Sequence, residues 1–179
     1  MEFHFRTLLP AHIRFCELNG RARTDRRRGV PNKNNLVKSD ATYEADVERD
    51  VAAMMCEAAA MLFFSPCHWD IGDRPGLADI EDFIDAKRGR TERHRLLMYL
   101  DGRLDWAYVL VCSVDHPNYW LRGWQWGERI KELGVVRELQ PGRPCYVLEH
   151  EHLRPMSELL REVRRRQDVR GFIGLSALR

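Results

Sequence analysis

Several patterns that mark familiar classes of protein are missing from this chain. No apolar run approaches the ~20 residues that a membrane-spanning helix requires, and the first residues lack the basic-then-apolar pattern of a signal peptide. The cysteines are odd in number and scattered, with no C-x-x-C pair, which argues against a disulfide framework or a structural zinc site. A G-x-S-x-G motif is also absent, which disfavours a serine hydrolase. We therefore expect a cytoplasmic protein with reduced thiols and no membrane partner.

The composition predicts one folded domain. A chain of 179 residues with a 44% hydrophobic share, five Trp and seven Phe can bury a substantial core. Helical and extended patterns follow one another along the chain, which predicts an α/β protein with a mixed central β-sheet flanked by helices. We divide the chain into an N-terminal segment with a basic arm, 1–42, and an α/β domain, 43–179.

Positive charge is concentrated near the N-terminus, although the net charge is only +2. The stretch from Gly20 to Lys38 holds a single acid, Asp25, and its predicted contacts to nucleic acid are Arg21, Arg23, Arg26, Arg27, Arg28 and Lys33. Gly29 and Pro31 predict a flexible arm without helical periodicity. In the N-terminal region that precedes the arm, we expect Pro10 to break any long helix. Such an arm can neutralise backbone phosphates. The alternative is a basic, solvated loop.

A helix is predicted from Tyr43 to about Phe64. Ser39 to Thr42 offer N-cap residues, and acidic side chains in the first turns suit the positive end of the helix dipole. From Val51 onward the helix is almost wholly apolar, and Glu57 is the one charged residue that interrupts it. Burying that carboxylate is costly without a partner or a metal. Glu57 therefore lies either on a solvated stripe or in a site.

The segment from Asp79 to Lys87 predicts a cluster of charged groups. In a strand Asp85 and Lys87 point to one face, while Ile84 and Ala86 point to the core. A turn at Glu81-Asp82 would bring Asp79 beside Asp85, although Asp82 is an alternative to Asp79. Two carboxylates and an ammonium suit a Mg²⁺ ion held against a phosphate.

The rest of the chain supplies further strands and helices. Strands at 94–100 and 106–113 are predicted to form an antiparallel hairpin, followed by a Trp-rich strand, 119–126, whose aromatic rings either seal the core or stack on bases. A helix at 127–133, a loop at 140–144, a strand at 145–149 and a last helix, N-capped by Ser157, complete the prediction. That last helix carries a second basic cluster, diluted by acids.

In order, these features resemble the core of the PD-(D/E)xK, or restriction-endonuclease-like, nuclease superfamily. The helix Ala53–Leu62 is similar to that of uncharacterised phage and prophage members, and the resemblance spans roughly 43–160. Its motifs are Trp69-Asp70, Asp79…Asp85-x-Lys87, Tyr108–Val111, Gly123-Trp124 and Leu153–Met156. No proline precedes Asp79, and an aspartate stands at 85 where glutamate is more usual.

The resemblance implies a Mg²⁺- or Mn²⁺-dependent endonuclease acting on DNA. It makes Glu57, Asp79 and Asp85 the metal-binding acids, adds the Ala86 carbonyl as a further ligand, and gives Lys87 the role of stabilising charge on the phosphate. The partners it leaves open are a second copy of the chain and a phage or host protein. The alternatives are an inactive nuclease-fold module that binds DNA or serves in assembly, and a protein-interaction domain that docks through Arg21–Arg28.

Overall fold

Alternating helical and extended segments build an α/β architecture in the computed structural model, which describes residues 4–29, 42–69 and 77–176. The elements in chain order are β1 (His4–Thr7), α1 (Pro10–Gly29), α2 (Tyr43–Phe64), β2 (Ile84–Gly89), β3 (Leu96–Tyr99), β4 (Ala107–Asp115), β5 (Asn118–Trp126), α3 (Gly127–Leu133), β6 (Val135–Gln140), β7 (Arg143–Leu148), a 3₁₀ turn (His150–His152) and α4 (Met156–Ser176). No helix among these described residues is long and apolar enough to cross a membrane.

The strands form two sheets. The first has four strands in the order β1-β5-β4-β2, and the second has three in the order β3-β7-β6. In the first sheet β2 runs parallel to β4, whereas the β4–β5 and β1–β5 pairs are antiparallel. The prediction of a mixed sheet in an α/β protein is confirmed, and β2 lies at the edge of that sheet.

Helix α2 has the predicted bounds, and its start has a local cause. The Thr42 side chain accepts a hydrogen bond of 3.2 Å from the Ala45 N–H, as an N-cap residue does. The helix packs against β2 and β4, and its apolar half is sealed into the core; Met54, Cys56 and Ala59 have no exposed surface. This packing places Glu57 beneath the sheet.

The prediction of an irregular arm beginning at Gly20 is wrong for Gly20–Gly29, which form the second half of α1. Pro10 does not break this helix because it is its first residue, where a missing N–H costs no hydrogen bond. Basic residues of α1 pair with acids of α2, including Arg27 with Asp50 and Arg28 with Asp46. These ion pairs between α1 and α2 stabilise a helical segment that the local sequence does not predict. The rest of the predicted arm, 30–41, lies outside the described residues.

The predicted hairpin of 94–100 with 106–113 is also wrong. Strand β3 pairs with β7 in the second sheet, with Leu96 opposite Leu148, while β4 lies between β2 and β5. Because β4 is apolar and buried from Ala107 to Cys112, it fills the centre of the larger sheet, where both of its edges are hydrogen-bonded. Strand β6 was not predicted from the sequence. It pairs with β7 and is exposed along the part whose side chains are described.

The Trp-rich strand β5 contributes to the core. The Trp124 side chain is 1% exposed, and its indole N–H donates to the Pro155 carbonyl at 3.0 Å. Trp120 and Trp126 are partly buried and pack against the same core. The indole of Trp124 is therefore enclosed by the protein and not exposed for stacking on a base. Helix α3 then follows over the predicted residues.

Candidate functional site

A tight turn folds Asp79 back onto β2. Ile80 and Ile84 exchange two backbone hydrogen bonds, of 3.0 and 3.1 Å, and both side chains are fully buried. Between them Glu81 adopts a left-handed backbone conformation, with φ of 55°, which is uncommon for a residue other than glycine. The predicted turn is present, and it sets residue 79 opposite residue 85.

Asp79 occupies the open edge of β2. Its Oδ2 accepts a hydrogen bond of 2.8 Å from the Ala86 N–H, where a further strand would otherwise pair. Asp82 lies in the turn itself and is exposed. Of the two candidate acids, Asp79 is thus the one that the fold holds against the Asp85-Ala86-Lys87 strand.

Asp85 and Lys87 form an ion pair on one face of β2. The distance from Lys87 Nζ to Asp85 Oδ2 is 2.6 Å, and the two side chains are 27% and 16% exposed. The ammonium also lies 5.5 Å from the centre of the Tyr108 ring on β4, at the range of a cation–π contact. Burial lowers the pKa of Lys87, but the neighbouring Asp85 and then Asp79 outweigh burial and raise that pKa above its ordinary value.

The Asp79 carboxyl is buried beside two other carboxylates. Burial, the Glu57 carboxylate and the Asp85 carboxylate raise the pKa of Asp79 well above its ordinary value, while Lys87 and the Ala86 N–H act in the opposite direction. The predicted acids and the lysine therefore interact electrostatically. An added cation at Asp79 would relieve this concentration of negative charge.

Glu57 pairs with Arg23, a residue that was predicted from the sequence to contact nucleic acid. Its two oxygens accept hydrogen bonds of 2.7 and 2.9 Å from the two terminal nitrogens of Arg23 on α1. Both side chains are 5% exposed. Glu57 therefore does not lie on a solvated stripe of α2. Its carboxylate is hydrogen-bonded to the Arg23 guanidinium.

The same pair corrects the picture of the basic arm. Arg23 was predicted to contact nucleic acid, but it is buried and faces α2. A signal for this was present, because Cys16, Gly20, Arg23 and Thr24 recur at helical spacing and are all buried in α1. Arg21, Arg26, Arg27 and Arg28 are all exposed, and Arg27 and Arg28 also pair with Asp50 and Asp46 of α2. Lys33 lies outside the described residues.

The donor set fits a two-carboxylate cation site better than a three-carboxylate one. Among the residues whose placement is described, no group of three or more His, Cys, Asp or Glu side chains is arranged to hold a metal. Mg²⁺ commonly takes one or two protein carboxylates and fills its remaining positions with water and substrate phosphate. Asp79 and Asp85 match that pattern, whereas both Glu57 oxygens are bonded to Arg23.

Comparison with protein-family models, with curated proteins and with solved structures found no match to this chain. The functional assignment therefore depends on the residues and their geometry alone.

Proposed function

We propose that this protein is a divalent-metal-dependent nuclease with a restriction-endonuclease-like core that hydrolyses phosphodiester bonds in DNA. The observation that carries the proposal is the position of Asp79, which is fastened to the Ala86 N–H beside the Asp85–Lys87 pair. Two carboxylates and an ammonium at the edge of one strand are the groups that phosphodiester hydrolysis with a bound cation requires.

Each group has a defined role in the proposed reaction. Asp79 and Asp85 would hold Mg²⁺ or Mn²⁺, which when bound polarises the phosphate and lowers the pKa of a coordinated water. Lys87, positively charged at neutral pH, donates hydrogen bonds to the phosphate oxygens as negative charge develops on them. Glu57, held by Arg23, adds negative charge near Asp79 without serving as a ligand.

One observation favours a second candidate, an inactive module that binds DNA through its basic surface or serves in assembly. Glu57 is satisfied by Arg23, and Asp85 is satisfied by Lys87. A charge cluster that is neutralised by internal ion pairs can also fix how the elements of a fold dock, without catalysis. The two candidates differ in whether the cluster binds a metal.

Cleavage of supercoiled plasmid with Mg²⁺ or Mn²⁺ tests the proposal, with wild type compared with Lys87→Ala. We expect the variant to lose at least ~100-fold in rate, because removing one group that stabilises transition-state charge costs about 10²–10³-fold. Lys131→Ala is the matched control, since Lys131 is an exposed lysine on α3, and it should cut as wild type does.

The other outcomes are equally informative. Equal cutting by wild type and Lys87→Ala would remove the site from the Asp85-Ala86-Lys87 strand. No cutting by either protein, together with metal-independent DNA binding, would support the inactive module.

A further inference from the structure

The turn that presents Asp79 is held by contacts from outside its own strand. Glu81, in its left-handed conformation, donates its backbone N–H to the His68 carbonyl at 2.7 Å. The Glu81 Oε1 in turn accepts a hydrogen bond of 3.3 Å from the His68 N–H. The segment that follows α2 therefore fixes one side of the turn.

Helix α4 contacts the same turn through two consecutive residues. Gln167 Nε2 donates to Glu81 Oε1 at 2.9 Å and to the Pro66 carbonyl at 2.7 Å. The Arg166 guanidinium lies 3.8 Å from the centre of the Phe83 ring, and its Nε donates to Glu162 at 2.8 Å. One residue thus binds the start of the turn, and the other covers its end.

We propose that Gln167 and Arg166 are positioning residues, through which α4 fastens the 81–83 turn and thereby holds Asp79 against the edge of β2. The functional consequence rests on the proposed nuclease site, whereas the positioning itself does not. These two residues lie 80 or more positions from the turn in sequence, so the local sequence around Asp79 contains no sign of them.

The physical reason is the conformation of Glu81. A residue other than glycine is held in the left-handed region only when surrounding contacts over-determine it. Without the Gln167 and Arg166 contacts, the turn can relax to a more extended backbone, and Asp79 then moves away from the Ala86 N–H. The identity of residue 167 also matters, because its amide supplies a second donor to the Glu81 Oε1, beside the His68 N–H.

Hydrogen exchange of the Ala86 amide, followed by NMR, measures this positioning directly because Asp79 is the acceptor of that N–H. We expect Gln167→Ala and Arg166→Ala each to speed Ala86 exchange by about tenfold or more, without changing exchange of the β4 amides. Arg165→Ala is the matched control, since Arg165 is an exposed neighbour that pairs with Glu162, and it should leave Ala86 exchange unchanged.

Two further variants separate positioning from general packing. Gln167→Lys restores a donor to Glu81 and should return Ala86 exchange to near the wild-type rate. Gln167→Glu places two carboxylates together and should not. In the cleavage assay Gln167→Ala should lower kcat with little change in KM, because Asp79 is displaced while the DNA-binding surface stays intact.

The proposal is overturned if Ala86 exchange in Gln167→Ala equals that in Arg165→Ala. It is also overturned if the β4 amides speed up in parallel with Ala86, since α4 would then act only on global stability. If the wild-type protein cuts no DNA, the nuclease assignment fails, and the exchange comparison still decides whether α4 positions Asp79.

Discussion

Arg23 and Glu57 show at the scale of single residues how burial turns a charge into a constraint. The two side chains come from different helices and are almost completely buried. A buried ion pair is roughly balanced between desolvation and attraction, but a buried charge that has lost its partner is strongly unfavourable. We therefore expect the pair to contribute more to how α1 docks on α2 than to net stability.

We expect Arg23→Met alone or Glu57→Leu alone to lower the free energy of unfolding by about 3–5 kcal/mol, because each leaves an uncompensated buried charge. The double variant should recover most of that loss. Urea denaturation of the four proteins completes the cycle, with Arg129→Ala, on an exposed pair with Glu132, as a control within about 1 kcal/mol of wild type. Additive losses in the double variant would contradict this coupling.

The raised pKa of Asp79 leads to a prediction about how the stability of the protein depends on pH. Its pKa in the folded protein is raised well above the ordinary value of 3.8, so the folded state binds this proton more tightly than the unfolded chain does. The free energy of unfolding should therefore fall as pH rises from about 3.8 through the raised pKa. Asp79→Asn lacks this titration and keeps a carbonyl oxygen to accept the Ala86 N–H.

The stability of Asp79→Asn relative to wild type should thus increase with pH over that range, as measured by urea denaturation at several pH values. Asp82→Asn is the control, because Asp82 is exposed in the same turn, and its difference from wild type should stay small. A constant difference for Asp79→Asn would show that the fold does not raise the pKa of Asp79.

At the scale of elements, the contact between α1 and α2 depends on a close approach of backbones. A Cβ atom on Gly20 would lie 2.7 Å from the Val51 Cα and 2.8 Å from its N. The helices can therefore cross closely only because residue 20 has no side chain. That approach allows the neighbouring Arg23 to reach Glu57.

Gly20→Ala tests this approach. Alanine is the better helix former by about 1 kcal/mol, yet we expect a net destabilisation of about 1–3 kcal/mol, because the methyl group must displace the α2 backbone. Thermal unfolding measures the loss, and Glu17→Ala, at an exposed position of the same helix, should change stability by less than about 0.5 kcal/mol. An unchanged or higher Tm for Gly20→Ala would mean that the helices separate at no cost.

The helices, strands and turns differ in how well local sequence patterns predict them. Helix α2 was predicted to begin at Tyr43 and to end near Phe64, as it does, because its cap and its apolar run are local signals. The pairing partner of β3 was not predicted, because strand pairing depends on segments that are distant in sequence. Leu96 of β3 lies opposite Leu148 of β7, and not opposite a residue of β4, the next strand in the chain. The turn before β2 was predicted, since a polar break between two apolar residues is again local.

At the scale of the whole molecule, part of the positive charge near the N-terminus is paired within the protein. Arg23, Arg27 and Arg28 pair with acids of α2, but only Arg23 is buried, since the Arg27 and Arg28 side chains are 48% and 42% exposed. Arg21, Arg26, Arg27 and Arg28 are all exposed, but Arg27 and Arg28 are also paired with acids of α2. Arg21 and Arg26 are therefore the two arginines that we propose contact a DNA backbone.

For the proposed DNA-binding surface we therefore expect Arg21→Ala/Arg26→Ala to weaken binding about equally for all sequences. The slope of log K against log salt should fall in magnitude by up to about 2, or roughly 0.9 for each lost phosphate contact. Fluorescence anisotropy at several salt concentrations measures it, with Arg143→Ala, at an exposed position of β7, as the control. An unchanged slope would exclude Arg21 and Arg26 from DNA binding.

By itself the sequence determined the α/β class, the helix that carries Glu57, and the strand and turn that bring Asp79, Asp85 and Lys87 together. All of these follow from periodicity, capping and turn chemistry over a few residues. The tertiary structure alone decided that Asp79 binds the Ala86 N–H, that Arg23 holds Glu57 and that α4 covers the turn. Those partners are distant in sequence or depend on an exact backbone approach, and buried polar groups acquire them only once the core has closed.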